Sequence, residues 1–248
     1  MSNKIWTPDA ATIDPGRRRL LRLSLGGAAA ALLSGCDITS NETVETALKR
    51  VSRFNDAAQA ALFRPQTLAP VFSRAELTLP FRFNAFYSEA SVPEIDERTW
   101  RFKVDGLMRK PGEWTLAELK ALMPVTEITR LVCIEGWSAI GQWTGVPLHH
   151  FLKLTGADTR AKYVAFTCAD GYFTSIDMAS ALHPQTMLAF SFNGSDSLPD
   201  EFGFPLRLRI PTKLGFKNPK HLTGMTVSNT FTSGYWEDLH GYNWFAGL

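Results

Sequence analysis

Apolar residues recur along this chain with two different periods. In "NETVETALKRVSRFNDAAQAALF" (41–63), Val44, Leu48, Val51 and Phe54 fall three or four residues apart, the spacing of one helical face, and Asn41 or Thr43 stands where a cap is needed. The pattern predicts a surface helix, followed by an arm punctuated by Pro65, Pro70 and Pro80. From Trp100 the period drops to two: Trp100, Phe102 and Val104 alternate with polar residues up to a turn at Asp105 and Gly106, and a short second strand follows. Thr115 with Glu118 three residues later is a capping box that opens a helix over "TLAELKAL". "TEITRLVCIEG" (126–136) is β-branched and alternating, a strand running into Cys133. "PLHHFLKLTG" is a helix started by Pro147 and stopped by Gly156, and "KYVAFTCADGYFTSIDM" is a strand, an Asp170-Gly171 turn and a returning strand. "PLRLRIP" (205–211) and "HLTGMTVSNTF" (221–231) supply two more strands. Strands interrupted by isolated helices, with no βαβ rhythm, predict an α+β fold with a mixed sheet or sheets and flanking helices.

The first 36 residues follow neither period. "GRRRLLRLSLGGAAAALLSGC" sets clustered arginines before an apolar stretch, Leu23–Leu33, that ends in small residues, which is the layout of an export signal. The stretch is shorter than the roughly 20 residues a bilayer-spanning helix needs. Arg17, Arg18, Arg19, Leu20, Leu21 and Arg22 resemble the twin-arginine pattern, with Gly16 where Ser or Thr is usual. "LSGC" resembles a lipoprotein cleavage box, which makes Cys36 the lipid-bearing residue and a membrane tether, and Asp37 after it resembles an inner-membrane retention signal. The chain is therefore divided into a signal, 1–36, and one domain, 37–248.

Composition is that of a globular protein, with 45% hydrophobic and 20% charged residues among 248. Of the 26 basic and 24 acidic residues, five and two lie in 1–36, leaving 21 and 22 in the remainder. A net charge of −1 provides no overall field for nucleic acid. Locally the picture changes: Phe202–Gly234 contains Arg207, Arg209, Lys213, Lys217 and Lys220 and no acid, which suits a buried phosphate or an anionic substrate, or else a solvated basic face.

Two cysteines remain after Cys36. In an oxidising compartment Cys133 and Cys168 are candidates for a disulfide. Cys133 also ends a strand beside Gly136, a place for a soft metal ligand or a nucleophile, and both readings stand on the residues alone. Zinc is disfavoured, because there is no CxxC or HExxH and the five histidines show no paired ligand spacing beyond the adjacent His149 and His150, which read as ordinary helix-start residues. Glu135 and Asp170 read as loop hydrogen-bonders before acid/base groups. The tail aromatics Tyr235, Trp236, Tyr242, Trp244 and Phe245 read as packing that seals the C-terminus rather than a substrate cage.

"LVCIEGWSAIGQWTGVPLHHFL", with "FNAFY" upstream and "GFPLRLRIPTKLGFKNPKHL" downstream, resembles the molybdopterin-binding domain of the sulfite oxidase superfamily, in its short bacterial branch that includes periplasmic methionine-sulfoxide reductase catalytic subunits. The resemblance runs from about Leu79 to the end of the chain. It implies Cys133 as the catalytic molybdenum ligand, Asn84 and Tyr87 as contacts to the pterin, and Arg207, Gly215, Phe216 and Lys217 as the segment holding its phosphate end. Two positions depart from the branch: Cys168 stands where it has a threonine and Phe202 where it has an asparagine. By this likeness Cys168 is a free thiol beside the cofactor rather than a partner of Cys133.

The resemblance further implies reduction of small S- or N-oxides. With no CxxCH and no segment after Leu248 for a haem or dimerising domain, a separate membrane haem or quinone-linked subunit supplies the electrons to a monomer. A sulfite dehydrogenase is the alternative activity and needs an arginine-rich pocket from Arg130, Arg207 and Arg209. A non-catalytic exported lipoprotein on the same fold is the other alternative.

Overall fold

The alternation beginning at Trp100 becomes strand β1 (Phe102–Gly106), whose Phe102 and Val104 are fully buried while Lys103 faces out. These elements belong to a computed structural model that describes residues 42–248. The expected signal at 1–36, Cys36 and the Asn41 cap lie outside the described residues. Helix α1 spans Glu42–Leu62, so Thr43 is inside the helix rather than capping it. The chain divides after Ser52: before it, the described residues are the first turns of α1, with an exposed Lys49–Glu45 pair, and from Arg53 onward the residues form one unit.

Within that unit two sheets carry the fold. The first is mixed, in the order β2 (Gly112–Trp114), β1, β9 (Leu222–Ser228), β5 (Tyr163–Cys168), β6 (Phe173–Asp177), with β1 and β9 parallel and every other pair antiparallel. The second is antiparallel, in the order β3 (Val125–Val132), β4 (Ser138–Pro147), β7 (Met187–Phe192), β8 (Arg207–Arg209). Helices α2 (Leu116–Lys120), α3 (Leu148–Thr155), α4 (Met178–Ala181) and α5 (Tyr235–His240) complete an α+β architecture.

Local signals explain several of these elements. Thr115 accepts the Glu118 N–H, and the Glu118 carboxylate accepts the Thr115 N–H, closing the expected capping box on α2. Gly156 ends α3 in the left-handed conformation at φ +66°. The main core packs Phe102, Val104, Leu119, Phe151, Val164 and Phe166 among β1, β5 and helices α2 and α3. A second core, with Phe81, Leu131, Trp143, Ala189 and Phe192, lies on the antiparallel sheet.

Two strands escaped the sequence pattern. All six residues of β7, "MLAFSF", are buried, so no polar face marks the period. In β4 the glycines that obscure the pattern are required by packing: a Cβ on Gly141 would sit 2.7 Å from the Phe192 ring and 3.0 Å from the Phe81 ring.

Candidate active site

Where β3 ends, the chain turns within five residues into β4. Cys133 N–H donates to the Trp137 carbonyl at 2.8 Å and Gly136 N–H donates back to the Cys133 carbonyl at 3.2 Å, a turn closed by Gly136 at φ +86°. Glu135 holds the loop by accepting the Trp137 indole N–H at 2.8 Å, the role expected of it. The Arg82 guanidinium lies 4.9 Å from the Trp137 ring centroid. The Cys133 side chain is 8% exposed and its thiol is free. Burial pushes this thiol up, while the backbone N–H groups of Glu135 and Ile134, directed at the sulfur, pull the other way.

The thiol opens onto a cleft walled by the arm residues Asn84, Ala85 and Phe86, by Asp170 and Tyr172 after β5, by Arg207, by Gly215, Phe216 and Lys220, and by Trp236 and Tyr242 of the tail. Gly215 fits against the strand end: a Cβ there would lie 3.2 Å from Leu131 and 3.6 Å from the Cys133 α-carbon. Tyr172 donates its hydroxyl to the Phe216 carbonyl at 2.6 Å, tying the β5–β6 turn to this segment. Asp170 accepts the Tyr87 hydroxyl at 3.1 Å and the Tyr172 N–H at 3.0 Å, which anchors the arm and fixes the turn.

All five basic residues of the acid-free run are buried, so the run is not a solvated face. They are compensated in different ways. Arg207 donates one hydrogen bond, from Nη1 to the Phe202 carbonyl at 3.1 Å, stacks 5.0 Å from the Trp143 centroid, and keeps a buried Nε without a partner. Lys220 donates to the Glu201 carbonyl at 2.9 Å and lies 4.4 Å from the Phe83 ring centroid. Burial is the main cause that lowers Arg207 to about 10 and Lys220 to about 7, and the charge of Arg207 lowers Lys220 further. Arg209 is held through its terminal nitrogens, which donate to Asn218, Thr129 and the Arg130 carbonyl at 2.8, 3.2 and 2.6 Å, while its Nε, like that of Arg207, is buried without a partner.

The expected site residues therefore separate. Asn84, Cys133, Arg207, Gly215 and Phe216 come together around the cleft. Tyr87 reaches it only through Asp170. Lys217 points away, with its ammonium bound to Thr174, the Ser175 carbonyl and the Glu237 carboxylate. Cys168 is a buried free thiol in the main core and outside the cleft lining, and burial with Asp170 nearby raises it well above the usual thiol range. Neither His149 nor His150 lines the cleft. Of the tail aromatics, Trp236 and Tyr242 form part of the wall, stacked 5.7 Å apart, which corrects their reading as packing alone; Trp244 does pack, donating to Ser175 at 2.8 Å. Tyr172, Trp236 and Tyr242 were missed as site residues because nothing in their local sequence ties them to Cys133, whereas Lys220 belongs to the acid-free run expected to suit a buried phosphate.

Residues 89–236 match the family described as "Oxidoreductase molybdopterin binding domain". The chain belongs to this family. Its fold is of the sulfite-oxidase type, and it is a molybdopterin-dependent oxidoreductase. It is similar to the "Putative protein-methionine-sulfoxide reductase subunit YedZ1" of Azospira oryzae, 52% identical over 94% of this chain and 88% of the relative. It is also similar to the "Protein-methionine-sulfoxide reductase catalytic subunit MsrP" of Xanthomonas campestris, 38% identical over 60% of this chain and 52% of that protein, so it spans about half of that relative. Among solved structures, the sulfane dehydrogenase SoxCD of Paracoccus pantotrophus aligns with a TM-score of 0.53 at 22% identity, over 59% of this chain and 42% of that one, a likeness of fold.

The cleft's donor set fits such a cofactor. A polarisable thiol with backbone N–H groups on its sulfur suits a high-valent metal. A buried arginine with an unpartnered Nε and a lysine without a carboxylate partner suit a phosphate. The cleft measures about 130 Å³, and Asn84 and Phe86 of its arm wall are half-buried.

Proposed function

We propose that this protein reduces small S-oxides, methionine sulfoxide first among them, at a molybdenum centre held by Cys133. The observation that carries the reading is a buried free thiol sharing one cleft with Arg207 and Lys220, which have no carboxylate partner, in a chain whose relatives bear the methionine-sulfoxide reductase name. When bound, the molybdenum cofactor supplies two-electron oxygen-atom chemistry, converting a sulfoxide, two electrons and two protons into a thioether and water.

The chain's own residues bind and orient. Cys133 would serve as the protein ligand, and the N–H groups of Glu135 and Ile134 favour its thiolate form. Arg207 and Lys220 receive the phosphate, Gly215 and Phe216 give the backbone room to approach it, and Asn84, with Tyr87 behind it through Asp170, closes the pterin side. Lys217 contributes at a distance, by holding α5 and its Trp236 in place through Glu237. Trp236 and Tyr242 exclude water on the substrate side.

Of the arginines a sulfite-binding pocket would need, only Arg207 lines the cleft: Arg209 is turned to Asn218, Thr129 and the Arg130 carbonyl, and Arg130 lines a different cleft. That favours sulfoxide reduction over sulfite oxidation. Residues 1–36 are read as a twin-arginine export signal and Cys36 as a lipid anchor on the periplasmic side, with electrons from a separate membrane protein. Among the described residues no helix is long and apolar enough to cross a membrane.

The test is Cys133→Ala in holoprotein purified from a molybdenum-competent host. Viologen-driven reduction of methionine sulfoxide is expected to fall at least about a thousandfold, consistent with loss of a group central to the chemistry. Wild-type protein that contains molybdenum yet turns over sulfite and not methionine sulfoxide would reverse the assignment.

A further inference from the structure

The strand that delivers Cys133 has a second face. Along β3 and just beyond it, Thr129, Leu131 and Cys133 are buried, whereas Arg130 and Val132 point outward, as period-two geometry demands. The outward face opens onto a separate cleft of about 480 Å³, walled by Phe63, Leu68, Phe72 and Val132 with Arg64 and Arg130 in its lining. Leu68 at its rim is 58% exposed and Leu62 beside it 80%, apolar surface of the kind that marks interaction sites.

Charge says what kind of partner fits. The lining contains two arginines and no Asp or Glu side chain, with Leu248 also in it, and among the described residues neither arginine forms a salt bridge. Glu76 senses the charge of Arg130, but its carboxylate already accepts the Ser73 N–H and hydroxyl. Arg130 is held rather than loose: its guanidinium lies 4.9 Å from the Phe72 centroid, and its carbonyl accepts from Arg209. An apolar floor with two unpaired guanidiniums, that of Arg130 held against Phe72, complements an apolar segment flanked by carboxylates.

We infer that this cleft is the docking face for the membrane electron-donor protein, an inference that rests on the electron flow given under Proposed function. Consecutive α-carbons are about 3.8 Å apart, so a donor seated on Val132 stands one peptide unit from Cys133 while the substrate cleft stays free. The donor's reduced carrier is oxidised, its electrons pass to the site at Cys133, and the sulfoxide takes them up with two protons from solvent on the opposite face.

The experiment compares wild-type holoprotein with the double variant Arg64→Glu/Arg130→Glu and with Leu68→Asp. Reduction of the molybdenum centre is followed by its electron paramagnetic resonance signal, driven either by quinol-supplied membrane vesicles of the source organism or by reduced viologen. Membrane-driven reduction is expected to slow at least tenfold in the variants and to lose its salt sensitivity in the double variant, with viologen-driven reduction unchanged. Equal slowing with both donors, no slowing with membranes, or no membrane-driven reduction of the wild type would overturn the inference. So would a wild-type dimer that the charge reversals dissociate, since a second copy would then occupy the face. Because the signal needs no substrate, failure of methionine sulfoxide turnover with viologen would count against the function alone.

Discussion

The same acid-free run feeds two neighbourhoods that treat positive charge in opposite ways. Around the cleft, Arg207 and Lys220 are buried with backbone carbonyls and aromatic faces as company and no carboxylate salt bridge. A few residues away, Lys217 is paired with Glu237, and Lys213 lies 3.4 Å from Asp177 and donates to the Phe245 carbonyl at 2.6 Å. Burial costs both sets. The difference is that one layer's charge is balanced from within the chain, whereas the other's waits for an anion from outside. A buried cation thus marks a binding site only after its internal partners have been sought and not found.

The sharpest way to break this contrast is Glu237→Gln, which leaves the fully buried Lys217 without its counter-charge. It is expected to destabilise the fold by roughly 3–5 kcal/mol, read as a lowered denaturation midpoint, and the paired change Lys217→Met/Glu237→Leu should restore most of it. Arg207→Met should do the reverse. Stability of the cofactor-free protein is expected to hold or rise, while cofactor affinity falls by roughly 10- to 150-fold, the equivalent of about 1.5–3 kcal/mol for a charge-assisted contact, measured as molybdenum and pterin content after dialysis. A Glu237→Gln protein as stable as wild type would remove the distinction between the two layers.

The smallest effect is a pH dependence at Lys220. Its folded value of about 7 lies below the unfolded lysine range, so the folded state binds fewer protons than the unfolded one between pH 7 and about 10. Stability of the cofactor-free protein therefore rises with pH across that window. A phosphate in the cleft holds Lys220 charged, so cofactor affinity is full below pH 7 and weakens above it, by at most about tenfold per pH unit. Lys220→Met should flatten the affinity profile, as followed by calorimetric titration at several pH values.

Much of the fold could be read directly where the signal was local. The Thr115–Glu118 box, the Gly156 stop and the Asp170-Gly171 turn each act within a few residues, and each is found where the pattern placed it. Strand β4 was hidden because Gly141 answers to rings on Phe81 and Phe192, far away in sequence. The site divides along the same line. The Cys133 loop and the Arg207 strand are contiguous motifs, but the wall made by Tyr172, Trp236 and Tyr242 exists only after the sheets have assembled. The Lys217 counter-charge has a sequence correlate, since Glu237 is the first acid after the basic run.

The order in which the chain leaves the ribosome gives the Lys217–Glu237 pair a temporal meaning. Lys217 emerges 20 residues before Glu237, and Lys213 emerges 32 before Phe245. At synthesis rates of about 5–20 residues per second, both lysines spend on the order of seconds without the groups that will enclose them. Trp236 arrives beside Glu237, so the wall of the cleft and the neutralisation of its supporting layer are completed in one late event.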